Sequence, residues 1–267
     1  MARTYRFFAR NLAQESMPQK NGQVFNLTVI LEPDIFYQLT RVLRAQSGDN
    51  VVLIPALQSA AGGARGAVGG KPGGARVYFE YLYKVDVAAK KELALRFEQK
   101  IENRNELDFD LGLILCLPNK PDKLEFILQK AVEIGATAVT LVGGDFSQMK
   151  HNLRHERLQK IMAEAAEQSE RAIIPGLIEA GVLSDYLEKL SQEERRAMAV
   201  AMERSSGGEN ILRGGKKLNI LVGPEGGFSE EEKKLINDLA LPTFSLGKRV
   251  LRMETAAILA LGLASMA

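Results

Sequence analysis

Hydrophobic positions along this chain follow two different rhythms. From residue 111 onward, continuous apolar runs alternate with segments whose apolar residues recur every three or four positions. Leu111–Leu117 (LGLILCL), Ala138–Val142 (AVTLV) and Leu218–Val222 (LNILV) are runs of the kind buried on both faces of a parallel sheet. Between them, Leu124, Ile127, Leu128, Ala131 and Ile134 make one helical stripe, with Asp122 placed to cap it, Glu125 three residues on, and Gly135 where a helix stops. His155–Arg171 reads as a second amphipathic helix, with Leu158, Ile161, Met162 and Ala165 facing inward. Ser229 with Glu232 forms a capping box for a third helix, Thr243–Leu246 is a short strand, and Glu254–Ala267 is a closing helix, apolar on nearly every face. Strands alternating with helices imply an α/β domain with a largely parallel sheet.

The first hundred residues read differently. Asn50–Ile54 (NVVLI) and Val77–Val87 (VYFEYLYKVDV) are β-like, and they flank Ser59–Arg76, which is nearly all Gly, Ala, Arg, Lys and Pro. That segment has too little apolar surface to offset its ordering entropy and reads as a mobile loop interrupting a small β domain. A charged stretch, Lys100–Asp110, then separates two apolar patterns, so the expected domains are 1–100 and 101–267.

Charge sharpens this division. The formal net charge is +2, but residues 1–100 carry 14 Lys+Arg against 8 Asp+Glu, and residues 101–267 carry 21 against 25. A basic front half beside a mildly acidic back half fits a polyanion-binding module joined to something else. No apolar run reaches membrane-spanning length, and the N-terminus lacks the apolar stretch of a secretory signal. Cys116 is the single cysteine and, with only His151 and His155, makes a poor set of metal ligands, so no metal site is expected. These features predict a cytoplasmic protein.

Ligands of open α/β sheets sit beyond the carboxyl ends of the strands, and two loops there are unusual. Gly223-Pro224-Glu225-Gly226-Gly227 follows the strand LNILV; its glycines permit close backbone approach, and the next helix start offers free N–H groups. Taken alone, the loop also reads as a tight turn. Leu246–Ala256 (LGKRVLRMETA) gathers Lys248, Arg249, Arg252 and Glu254 between apolar segments. Neither G-x-G-x-x-G nor G-x-x-x-x-G-K-[ST] occurs, which disfavours dinucleotides and nucleoside triphosphates.

The paired stretches LVGPEGGFSEEE and LGKRVLRMETAAI resemble the signature of the 16S ribosomal RNA uridine-N3 methyltransferases of the SPOUT superfamily. PNKPDKLEFILQKAVEIG and EAAEQSERAIIP are similar to that family's other blocks, in the same order. RTYRFFA and RVLRAQSGDNVVLI resemble its PUA-like RNA-binding domain. The resemblance implies a SPOUT-type trefoil-knotted α/β domain preceded by the PUA-like β domain, a homodimer with active sites at the subunit interface, and S-adenosyl-L-methionine (AdoMet) as methyl donor. By that resemblance Leu221, Val222, Gly223, Glu225, Gly226, Leu246, Gly247, Val250, Leu251 and Thr255 bind AdoMet. Arg249, Arg252 and Glu254 are the catalytic candidates, joined by Arg171 from the second subunit. Arg3, Arg6, Arg41 and Arg44 are the phosphate contacts to 16S rRNA, within the 30S subunit, and Tyr5 and Phe7 either stack on a base or belong to the core. The closing helix is either a dimer face or buried in its own subunit. The chain departs from the resemblance at Phe146, where relatives carry an arginine, at Met253, and in the length of the 59–76 insertion. The alternatives are a SPOUT enzyme acting on a ribose 2′-hydroxyl or on tRNA, and a ribosome-assembly factor without turnover.

Overall fold

The computed structural model describes residues 2–9, 33–58, 64–65, 67–69, 77–89, 92–147, 153–203 and 215–266. The chain divides into two compact units. One contains the described residues up to Glu106 together with Ala166–Ile174; the other contains Leu107–Ala165 and the chain from Pro175 on.

The first unit is built on a five-stranded sheet. β1 (Thr4–Ala9) lies parallel to β2 (Asn50–Pro55), and β2 pairs antiparallel with β6 (Val77–Ala89). β5 (Ala67–Gly69) and β7 (Glu92–Asn103) both pair antiparallel with β6. β3 (Leu57–Gln58) and β4 (Ala64–Arg65) form a separate two-stranded ladder. Helix α1 (Pro33–Tyr37) continues into a π-helical turn over Gln38–Val42. Its Ile35 and Leu39 close a core with Phe7, Val51, Leu53, Tyr81, Tyr83 and Val85.

Two expectations change here. The boundary expected after residue 100 falls inside β7, and the unit runs on to Glu106 and takes in Ala166–Ile174. The charges that marked a linker alternate along a strand with exposed positions, and the strand is held by its ladder to β6. The glycine-rich segment is also not loop throughout, since Ala67–Gly69 extends the main sheet. Its remaining residues, apart from 64–65, lie outside the described ones.

The second unit carries a six-stranded sheet in the order β10-β9-β8-β12-β11-β13, every neighbouring pair parallel. Its strands are β8 (Asp110–Cys116), β9 (Ala138–Gly143), β10 (Gly176–Val182), β11 (Met198–Ala201), β12 (Lys217–Val222) and β13 (Thr243–Phe244). Leu111, Leu113, Leu115, Ile220 and Leu221 have no solvent exposure, as continuous apolar strands covered on both faces require. Helix α2 (Pro121–Ile134) buries Leu124, Ile127, Leu128 and Ala131 and ends at Gly135 in the left-handed conformation. It starts at Pro121, with Lys120 at the N-cap and Asp122 inside the first turn; proline's fixed φ, rather than an aspartate cap, sets the start. Helix α3 (His155–Gln168) stops short of Arg171, because Glu170 takes a positive φ.

Helices α4 (Leu183–Glu188) and α5 (Gln192–Arg196) are short. Helix α6 (Glu230–Asp238) carries the expected Ser229–Glu232 capping box. Helix α7 (Met253–Ser265) buries Met253, Ala257, Ala260, Leu261 and Ala264, while Leu259, Leu263 and Met266 remain exposed. The closing helix therefore buries one face within its own subunit and leaves the other exposed. No helix among the described residues is long and apolar enough to cross a membrane.

Candidate active site

Strand register creates the site. Val222 of β12, Ala201 of β11 and Phe244 of β13 stand abreast in the sheet, so the chain leaves three adjacent parallel strands at one level. Gly223, Met202 and Ser245 are the next residues, and all three line a cavity of about 630 Å³. The cavity lies beyond the carboxyl ends, beside the β8/β12 boundary where the sheet's order of growth reverses.

Backbone approach in the first loop depends on glycine at two positions. A Cβ at Gly223 would lie 3.0 Å from the ring of buried Phe228, and one at Gly226 would lie 3.0 Å from Cβ of Phe146. Glu225 is tied across the β8/β12 boundary. Its carboxylate accepts from the Asn119 backbone N–H at 3.2 Å and from Lys123 Nζ at 2.8 Å. Burial pushes the Glu225 carboxyl up, but those hydrogen bonds outweigh it and hold the group below its ordinary value. Behind the loop, buried Glu232 accepts from the backbone N–H groups of Ser229 (2.8 Å) and Asp145 (2.9 Å). Ser229 Oγ donates to Asp145 Oδ2 at 2.5 Å. Cys116 lies beneath, its thiol pushed up by burial and by the Glu232 charge.

The second loop supplies the cations. Lys248, Arg249 and Arg252 line the cavity, are exposed, and make no ion pair among the described residues. Arg252 is the N-cap of α7, and Glu254 lies in that helix's first turn. Glu254 Oε2 is buried without a hydrogen-bond partner, at the cavity wall. An isolated carboxylate oxygen is costly in such a place, so the site is built for a donor or a cation.

Of the residues expected to bind the cofactor, Val222, Gly223, Glu225, Gly226, Leu246, Gly247, Val250 and Leu251 line the cavity. Leu221 is buried inside β12, and Thr255 is exposed on α7 outside the wall. Arg249, Arg252 and Glu254 are brought together there. Arg171 is not. Its side chain is 2% exposed and pairs with Glu106 at 2.6 Å, while Glu106 also accepts from the backbone N–H groups of Ala172 and Ile173. Arg171 therefore ties its own segment to Glu106 within the first unit and is not among the residues that line the cavity.

Arg6 is likewise largely buried against Glu80, itself held by Asn103. Arg3 is half exposed, pairing with Asp49 at 3.4 Å and donating to the Leu43 and Arg44 carbonyls. Arg41 and Arg44 are exposed. Phe7 is core, and Tyr5 donates to Asp49. Among the described residues no cluster could hold a metal ion. Sequence reasoning missed Ala201, Met202 and Glu203, which line the cavity at the end of β11. The signal was the apolar run AMAVAM at 197–202, following the charged QEERR.

Comparison with known proteins agrees with this geometry. The sequence profile of the RNA methyltransferase domain family matches residues 105–265. Ribosomal RNA small subunit methyltransferase E of Rickettsia conorii is 31% identical over 191 residues, covering 68% of this chain and 74% of that protein. The Bacillus subtilis protein of the same name is 35% identical over 190 residues, covering 66% and 72%. The crystal structure of the Neisseria gonorrhoeae enzyme of that name, bound to S-adenosyl methionine, superposes with a TM-score of 0.73 at 24% identity, covering 97% of this chain and 95% of that one. An all-parallel sheet, a loop cavity at its carboxyl edge and these matches lead to one assignment: the chain belongs to the ribosomal RNA small subunit methyltransferase E family of RNA methyltransferases.

Proposed function

We propose that this chain transfers the methyl group of AdoMet to N3 of a uridine in bacterial 16S ribosomal RNA. The observation that carries this reading is the cavity where the loops after β12 and β13 meet, lined by Lys248, Arg249 and Arg252, which make no ion pair among the described residues, and by a buried Glu254 carboxylate oxygen without a partner among them. The residues suit AdoMet. Met202, Leu246, Val250 and Leu251 offer apolar surface for a purine, Glu225 and Glu254 offer negative charge to a sulfonium and an ammonium, and the volume is that of a small-molecule site.

AdoMet supplies a methyl group already activated on sulfur. The chain must align the pyrimidine, exclude water and manage charge. Uridine N3 loses a proton as the new N–C bond forms, which places negative charge on O2 and O4. Arg249 and Arg252 stabilise that charge, and Glu254 accepts the proton or orients a guanidinium. Because N3 lies on the Watson–Crick edge, the uridine must be unpaired or extruded.

Further features support the rest of the reading. The chain leaves β12 and continues as β13 with β11 between them, an order that suits a trefoil knot. The β-rich first unit, with exposed Arg41 and Arg44, suits a PUA-like RNA-binding role. Exposed Leu259 and Leu263 on α7 and Met266 at its C-cap suit the face of a homodimer whose active sites lie at the interface. The substrate is the rRNA within the 30S subunit, in the cytoplasm.

Labelled AdoMet incubated with 30S subunits or free 16S RNA, followed by nucleoside analysis, tests the proposal. 3-Methyluridine is the expected product. A 2′-O-methyl nucleoside, or label entering tRNA instead, would replace the substrate, and no calorimetric AdoMet binding would point to an assembly factor.

A further inference from the structure

The cavity's neighbourhood holds one aromatic side chain that the cofactor and the cations leave unused. Phe146 is 52% exposed, on the turn Gly144–Ser147 that follows β9. An exposed phenylalanine on a loose turn would fold back onto the surface, but this turn is tied at several points. The Ser147 N–H donates to the Gly144 carbonyl at 2.9 Å, and Ser147 Oγ accepts from the Gly144 N–H at 3.0 Å. The Asp145 N–H donates to buried Glu232, and the Asp145 carboxylate accepts from Ser229 Oγ. Both tethers lead to the capping box that starts α6, directly after the glycine loop 223–227.

The ring is therefore held where it stands, against Gly226. A Cβ built at Gly226 would lie 3.4 Å from ring atoms Cγ and Cδ2 of Phe146, so glycine is what lets the ring seat on the loop. Gly226 lines the cavity, which places the ring beside the site while half of it stays in water. Phe228, the aromatic in the cavity wall, is buried, and the chain has no tryptophan. A base taken out of its stack needs a replacement π-face.

We propose that Phe146 is the stacking platform for the RNA at this site, its free face covering the extruded pyrimidine or the nucleotide beside it. The proposal rests on the methyltransferase reading above. Stacking requires a flat π-surface, whereas packing needs only apolar volume, and this difference defines the test.

Phe146→Leu, Phe146→Ala, Phe146→Tyr and Phe146→Trp would be compared for methylation of 16S RNA and for binding a short single-stranded RNA carrying a fluorescent pyrimidine analogue. AdoMet affinity would be measured by calorimetry and oligomeric state by ultracentrifugation. Phe146→Leu and Phe146→Ala are expected to raise the RNA KM and the oligonucleotide Kd roughly 5- to 150-fold, the span of one base–aromatic stack. Tyr and Trp should restore wild-type values, and AdoMet binding and subunit association should not move. Restoration by Leu, an unchanged RNA KM in Phe146→Ala, or a loss confined to AdoMet binding or to assembly would overturn the proposal. Wild-type protein that binds the oligonucleotide but methylates nothing would instead remove the enzymatic reading, while the fluorescence comparison still decides the stack.

Discussion

Arg171 and Arg6 in the first unit and Arg249 and Arg252 in the cavity loop are the same kind of side chain put to opposite uses. Arg171 is buried on Glu106, and Arg6 is largely buried on Glu80. The second two are exposed, line a cavity and pair with nothing among the described residues. A guanidinium already neutralised in the interior has no field left for a ligand. One held at a rim, with its counter-charge absent, has nearly all of it. The difference teaches that chemistry at this site is available where the fold has left charge unspent, and the partner decides this more than the residue type.

The largest effect expected is on stability. Arg171→Ala leaves Glu106 buried without its cation, and such a loss costs about 3–5 kcal/mol. Denaturant unfolding should show it, with Arg171→Ala/Glu106→Ala less harmful than the single change. If Arg171→Ala keeps wild-type stability and loses only turnover, the arginine belongs with the cavity set and the comparison breaks.

Next come the cavity arginines, where stability and activity should separate. Arg249→Ala and Arg252→Ala are exposed changes and should move unfolding by no more than about 0.5 kcal/mol. Each should lower methyl transfer about 10²- to 10³-fold, the usual cost of one donor to a developing oxyanion, while AdoMet still binds. Single-turnover rates with saturating AdoMet would measure this. Unchanged rates would remove the charge-stabilising role.

How much of this was legible in the sequence follows the same line. β8, β9 and β12 could be read because they are apolar on both faces, and α6 because the Ser229–Glu232 box is a local signal; β10, mostly exposed, offers no such run. Loops 223–227 and 246–254 could be read as a site because glycines and unpaired charges stand out between apolar runs. β7 could not, because its charges sit on a strand with exposed positions and only the ladder to β6 reveals it. Arg171 and Arg6 could not either: pairing partners 65 and 74 residues away are long-range facts that no local pattern carries. β11 lay between, a four-residue run whose importance comes from its register with Val222 and Phe244.

Arg41 and Arg44 sharpen the comparison on the RNA side. Both are exposed in the first unit, so they should behave like the cavity arginines toward a polyanion and unlike Arg6. Arg41→Ala/Arg44→Ala should weaken 16S RNA binding roughly tenfold near physiological salt and lower the slope of log affinity against log salt by about 2. Arg6→Ala should instead show its loss in unfolding. Filter binding across a salt series separates the two, and an unaltered slope would take Arg41 and Arg44 out of the interface.

Arg3 is the intermediate case, half exposed and paired with Asp49, and it gives the smallest effect. Asp49 is held below the ordinary carboxyl range chiefly by the Arg3 backbone N–H. Burial works against this, and the Gln46 N–H, the Arg3 charge and the Tyr5 hydroxyl add to the lowering. A depressed carboxyl stabilises the fold above its unfolded pKa of about 3.9, and that contribution is lost as pH falls through the folded value. Asp49→Asn removes the titration and should cost about 1 kcal/mol at neutral pH. The gap between the two proteins should stay constant above roughly pH 5 and narrow as pH falls below about 4, because the wild type then protonates the group the variant lacks. Urea unfolding at a series of pH values would show this, and a gap that widened toward acid would mean that Asp49 is not held as an anion. Arg3→Ala should reproduce only part of the effect, since the backbone N–H that dominates Asp49 survives the substitution. By that measure Arg3 keeps most of its charge for solvent or a polyanion, and it falls nearer the cavity arginines than Arg6 does.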